Sequence, residues 1–234
     1  RAMRGLRDGW MGRVHINSTL TALMYDLPPI LKRLHAEHPK IDLVVTNAAT
    51  RDSVESIVQN VIDFALVTLP VKSALLRVTP LRQQFCVAIL PATIPDIPDR
   101  VTPHYVARQS LVLEHDRGAV HALAMGWLAK QLPLARQPMH VGIIEAAKQA
   151  VAAGLGMSIV PDVSVAEPMP GVVVRPLKPE LPCTMGLIER RNRPSEPALD
   201  VVRDALLELR TIDPAPRRTP RAPSRGERHA RPQA

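Results

Sequence analysis

A chain of 234 residues with 46% hydrophobic side chains can bury a substantial core, but aromatics supply only 3%, so Leu, Val, Ile and Ala must fill it. No run of about 18 residues is free of both charge and proline, which excludes a transmembrane helix, and the basic start RAMRGLRDGWMGRV has no apolar segment behind it to act as a secretory signal. The net charge of +8 is concentrated at one end: Pro214 to Ala234 carries Arg217, Arg218, Arg221, Arg225, Arg228 and Arg231 against Glu227, a local +5 that leaves an ordinary +3 for the rest.

In chain order, 13–17 (RVHIN) predicts a strand and 21–38 a helix with Leu23, Leu27, Ile30, Leu31 and Leu34 on one stripe. Residues 41–47 (IDLVVTN) return to strand. A helix over 50–59, with Val54, Ile57 and Val58 inward, leads to the buried strand 63–68 (DFALVT), and 83–91 (QQFCVAILP) closes this first block. After a proline-studded loop and a short helical piece at 104–109, the pattern repeats: strand 110–114, helix 119–131, strand 139–143, helix 144–154 and strand 157–161. Later strands fall at 171–177 and 183–190. A last helix spans 196–209, with Leu199, Val202, Leu206 and Leu209 on one face. Such alternation at short loop lengths implies an α/β protein with mainly parallel sheets in two lobes, the final helix returning to the first.

The stretch VAAGLGMSIVP (151–161) decides whether glycines here serve a nucleotide. A phosphate loop needs a strand, then glycines, then a helix whose free N–H groups receive the anion. The order is reversed: the helix comes first and the strand last. Gly154 suits the left-handed position that ends a helix, Gly156 suits a close backbone approach, and Ile159 stands where a third glycine would be. These glycines stop a helix.

The run EAAKQAVAAGLGMSIVP resembles a signature of the effector-binding domain of LysR-type transcriptional regulators. GRVHINSTLTALMYDLPPILKRLHAEHPKIDLVV is similar to that family's opening strand, long helix and second strand. TRDSVESIVQNVIDFALVTLP is similar to its short helix and following strand, with Asn60 in place of the usual glycine. The resemblance, over about Gly12 to Leu209, implies a two-lobed periplasmic-binding-protein-like (type 2) fold with two mixed, mainly parallel sheets and a ligand cleft between them. Residues 12–90 and 191–211 would form lobe I and 91–190 lobe II. Residues 1–11 resemble the end of a linker helix, and the Pro/Arg-rich tail 212–234 should be disordered. The family's winged helix-turn-helix is not in this chain, so DNA contact would come only through such a module in an intact regulator. The resemblance further implies a cytoplasmic homodimer or homotetramer, off the membrane, joined through helices 21–38 and 144–154. Cys86 and Cys183, inside apolar runs, read as reduced.

Ligands in such folds meet the C-terminal ends of strands, where helix N-termini present free N–H groups. NSTLT, at the first such junction, offers Ser18 and Thr19, and the resemblance favours both as facing an effector; each could equally cap the helix. Thr50 and Thr68 match cleft positions of the family, with caps or turns as their alternatives. Residues 142–144, including Ile143, offer amides and apolar contact but no charge. In LEHDRGAVHAL, Arg117 could pair an anionic effector bidentately, while Glu114 and Asp116 read as loop charges. His115 and His121 stand six apart, off helical ligand spacing, so no metal site is expected. No GxSxG, HExxH or Walker run is present. Asp63 and Glu145 are isolated, with Asp63 read as capping the turn into its strand. The expectation is a sensor of a small molecule, leaning toward a carboxylate, with no catalytic residues and no cofactor; the alternative is a stand-alone solute-binding protein or truncated modulator.

Overall fold

The computed structural model describes residues 12–115 and 118–210. The expected linker end, Asp116, Arg117 and the arginine-rich tail lie outside them. In the first lobe, β1 (Gly12–Ser18), β2 (Ile41–Asn47) and β3 (Phe64–Thr68) pair in parallel, and β10 (Met185–Arg190) and β4 (Leu76–Arg82) extend the sheet antiparallel, giving the order β2-β1-β3-β10-β4. The central run FALVT is apolar at successive positions because it is covered on both sides. Phe64 and Leu66 pack with Val14, Ile16 and the helices α1 (Leu20–Tyr25), α2 (Leu27–Glu37) and α7 (Pro197–Leu207), whereas Ala65 and Val67 pack with Ile57 of α3 (Thr50–Val58). The final helix does return to the first lobe, through Leu199, Val202 and Leu206.

The single helix expected over 21–38 is two. Asp26 interrupts it at φ −106° and ψ −40°, and α2 restarts with Pro28 and Pro29 in its first turn. A continuous helix would require N–H donors from both prolines, which have none; placed in a first turn, those donors are not needed. The apolar stripe survives the break, with Leu27, Ile30 and Leu34 buried.

In the second lobe, β5 (Phe85–Pro91) lies between β8 (Ser158–Pro161) and β9 (Val172–Pro182), antiparallel to both. A short parallel pair, β6 (Val112–Leu113) with β7 (Met139–His140), joins this layer through a parallel bridge between Leu111 and Met157. The helices α4 (Pro103–Val106), α5 (Ala119–Leu128) and α6 (Ile144–Ala152) complete the lobe, and Ile89, Leu113, Leu128, Val151 and Met157 sit in its buried core.

Two expectations change here. The sheets are mixed, but parallel strand pairs are limited to β1–β2, β1–β3 and β6–β7, with single parallel bridges at Val101–Leu177 and Leu111–Met157, because the chain crosses between lobes and returns antiparallel each time. The boundaries drawn at 90/91 and 190/191 each misplace one strand. β5 belongs to the second sheet and β10 to the first, so the crossings fall at 83–84 and 183–184. The strand β4 was not expected; its Pro80 breaks the apolar pattern and is tolerated because β4 is an edge strand.

Local backbone readings hold. Asn60 is left-handed at φ 55° and Gly154 at φ 82°. Beyond α6, the Gly154 N–H donates to Val151 O and the Leu155 N–H to Ala150 O, the paired bonds of a Schellman stop. A Cβ on Gly156 would overlap the Ser110 carbonyl oxygen, so this glycine admits the neighbouring strand. Asp63 caps across strands rather than a turn, its Oδ2 accepting the His15 N–H at 2.8 Å. Cys86 and Cys183 are free thiols, both buried.

Candidate functional site

Between the lobes lies a cleft of about 720 Å³, and the N-terminal ends of four helices reach it: α1 and α3 from one side, α5 and α6 from the other. The strand-then-helix order of each lobe produces this convergence, since every such helix starts where its strand ends. Thr19 lines the cleft as the N-cap of α1, its hydroxyl oxygen accepting the Ala22 N–H at 3.4 Å. Thr50 and Thr68 line it together: the Thr50 hydroxyl oxygen accepts the Thr68 N–H at 3.3 Å and pins the end of β3 to the start of α3. Ile143, 44% exposed, lines the opposite wall. The N-caps of α3 and α6 are Ala49 and Ile143, which make no side-chain cap bond, so these two helices present their first-turn amides to the cleft without a protein side-chain partner at the cap.

Ser18 does not line the cleft. It is fully buried, and its hydroxyl donates to Thr19 O at 3.0 Å. The chain turns toward the cleft one residue later, so only Thr19 of the pair lines it. Arg117 lies outside the described residues.

Two lining residues were missed or misread from sequence. Glu114, read as surface charge, is largely buried and folds over the first turn of α5, accepting the His121 N–H at 3.0 Å and a backbone N–H bond from Val120. Burial pushes its carboxyl above the usual range, against the pull of those two amides and of His115. A Cβ on Gly118 would overlap this carboxyl, so the glycine before α5 is what makes room for it. The readable signal was a carboxylate ahead of a glycine that opens an apolar helix. Gln84, on the first crossing, is 6% exposed and carried no such signal. Its amide donates to Asp26 Oδ2 at 3.4 Å, while Asp26 Oδ1 accepts from Arg82 at 2.7 Å. On the other side of the crossing, the Phe85 N–H donates to Asp162 at 3.3 Å. The floor of the cleft is therefore tied to both lobes.

Among the described residues no group of His, Cys, Asp and Glu could hold a metal ion, and no helix is long and apolar enough to cross a membrane. The His121 and His140 rings meet at a tilt of 53° with centroids 5.3 Å apart, and His140 Nδ1 lies 3.1 Å from Glu114 O, which serves to pack the α5 entry.

Two mixed sheets joined by two crossings, with helix N-termini facing each other across the gap, define a two-lobed binding fold of the periplasmic-binding-protein type 2 class. The profile of the LysR substrate binding domain matches residues 7–210, and the chain belongs to that family. The HTH-type transcriptional activator IlvY of Salmonella typhimurium is 26% identical over 205 residues, a match spanning 81% of this chain and 67% of the activator. Among solved structures, the CcmR regulatory domain of Synechocystis PCC6803 in complex with 2-PG superposes with a TM-score of 0.79 at 17% identity, covering 88% of this chain and 100% of that one. The effector binding domain of QuiR in complex with shikimate gives 0.72 at 18% identity, covering 86% and 98%.

Proposed function

We propose that this chain is the effector-sensing part of a LysR-type transcriptional regulator, and that the interlobe cleft binds a small molecule anchored by a carboxylate. The observation that carries this reading is the pair of helix starts at Ala49 and Ile143, on opposite walls of one cleft, whose caps bring no side chain of their own. A carboxylate between them would receive amides from both lobes and gain from both dipoles. Thr19, Thr50 and Thr68 would supply hydroxyls and Ile143 an apolar wall; Arg117, which precedes α5 in the sequence, would pair an anion bidentately. Ser18 is left out, because its hydroxyl is buried and spent on the backbone. That the QuiR domain was solved with shikimate, an organic acid, supports the class of ligand.

An effector favouring one lobe arrangement shifts the population toward it, and an intact regulator would pass that shift to a separate winged helix-turn-helix on DNA. The working unit is a cytoplasmic homodimer or homotetramer, with α1, α2 and α6 as its contact helices. The family's regulatory role, over a match that spans residues 7–210, favours sensing over catalysis. A thermal-shift panel on the purified chain tests the reading. A carboxylate present at 100 times its Kd should stabilise the fold by about 2.7 kcal/mol. Carboxylates without effect, beside neutral or cationic metabolites that do stabilise, would overturn it.

A further inference from the structure

One cluster of titratable side chains lies outside the roles given so far, and it joins the lobes. Tyr25, the last residue of α1, comes from the first lobe; Glu145 and Lys148, one turn apart on α6, come from the second. The Tyr25 hydroxyl donates to Glu145 Oε1 at 2.7 Å and accepts from Lys148 Nζ at 2.9 Å. Lys148 also donates to Glu145 Oε2 at 2.8 Å and to the Ser164 carbonyl, and its ammonium lies 5.4 Å from the centre of the Tyr25 ring. An ammonium has three N–H donors, and here each has an oxygen. Lys148 is only 9% exposed, a setting in which an unmet donor is costly. Two of the three oxygens belong to its own lobe. The third belongs to the other.

We propose that Tyr25, Glu145 and Lys148 form an interlobe clasp that holds the cleft closed without effector, and so sets how much of the population is ready to bind. The regulatory consequence rests on the cleft being the effector site. The clasp itself does not. Its position fits the role: Thr21 and Ala22 of α1 and Ile144 of α6 line the cleft, and the clasp ties these two helices together beside it. Burial alone would lower the Lys148 pKa, but the hydrogen bonds to Glu145 and Tyr25 outweigh it and hold the ammonium charged. Opening the lobes strips Lys148 and Glu145 of their shared partner while both stay half-enclosed, so the closed arrangement is favoured in proportion to what water cannot restore. Because the apparent Kd of an effector is its intrinsic Kd divided by the fraction of competent molecules, a looser clasp weakens effector binding without touching any effector contact.

Tyr25→Phe removes the hydroxyl and keeps the ring, and Lys148→Met removes the charge and keeps most of the stem. The readout is the interlobe distance distribution between spin labels at the exposed positions Gln59 and Lys130, with the labelled chain diluted into unlabelled protein and no ligand added. Cys86 and Cys183 are 2% exposed and stay unlabelled. Tyr25→Phe should lower the closed-to-open ratio about tenfold, the scale of one charge-assisted hydrogen bond, with little change in melting temperature. Lys148→Met should act in the same direction, and the double variant should add nothing further, as expected of one coupled unit. A folded Tyr25→Phe protein with the wild-type distribution, or additive single effects, would overturn the clasp. A carboxylate that stabilises the wild-type chain should then draw the Tyr25→Phe distribution back to closed. A distribution that stays open with that ligand bound would overturn the link to affinity while leaving the ligand-free result standing.

Discussion

Removing the Asp26 carboxylate tests the energetics of the cleft floor. Asp26 and Arg82 have side chains 0% and 8% exposed and meet at 2.7 Å, and Arg82 Nε is already without a partner. Burial outweighs the pull of Arg82 and leaves the Asp26 carboxyl above its ordinary range, so the pair is not itself a net stabiliser. Breaking it is another matter. Asp26→Ala leaves the enclosed guanidinium without its hydrogen-bonded carboxylate, a defect of about 3–5 kcal/mol. For a chain of this size that corresponds to a fall in Tm of roughly 6–20 °C. Loss of a helix cap cannot account for such an effect, because Asp26 makes no side-chain cap bond to α2. Asp26→Ser, a good capping residue, should therefore give no rescue. Asp26→Leu with Arg82→Met removes both charges and should recover most of the loss. Urea unfolding followed by circular dichroism measures all four proteins. A loss under about 1 kcal/mol for Asp26→Ala, or a double variant as weak as the single one, would refute the reasoning.

The glycines after α6 should separate by mechanism. Gly154→Ala meets only left-handed strain in open space and should cost about 1 kcal/mol, whereas Gly156→Ala drives a Cβ into the Ser110 carbonyl and should cost clearly more in the same urea assay. Glu114→Gln keeps an acceptor for the α5 amides and removes a buried charge. A carboxyl raised in the folded state makes stability fall as pH rises through 4.5 toward that higher value. The Gln variant should thus melt above wild type at pH 7.5, and the gap should close near pH 4; an unchanging gap would count against the buried charge. Thr50→Val removes the acceptor for the Thr68 N–H and should cost about 1 kcal/mol by thermal melt, while also weakening whatever carboxylate the panel finds.

How much of this could be read in advance depends on whether a residue's role is local. Gly154 and Asn60 announce themselves because few residues accept a left-handed backbone, and both adopt it. The break at Asp26 was equally local, written in Pro28 and Pro29, yet the apolar stripe running across it reads as one helix. Nothing local tells which sheet β5 or β10 joins: both are short buried runs, and only the pairing of distant strands decides. The site follows the same division. Thr19, Thr50 and Ile143 fall at junctions that the strand–helix order sends to the cleft and Thr68 at the end of a strand beside them, while Ser18 misses it by one residue. Gln84 takes its role from the distant Asp26–Arg82 pair, whereas Glu114 bonds amides only six and seven residues ahead, a local signal that reads as ordinary loop charge.

The measurement closest to the central claim is an amide-resolved NMR titration of the isotopically labelled chain with the same small carboxylates. Saturable shifts at the amides of Thr19, Thr50, Val120 and Ile144, reached at one common Kd, are the expected result. Saturable binding that leaves these amides unmoved and shifts those of another surface, or a full panel that moves none of them, would contradict a carboxylate-sensing cleft between the lobes.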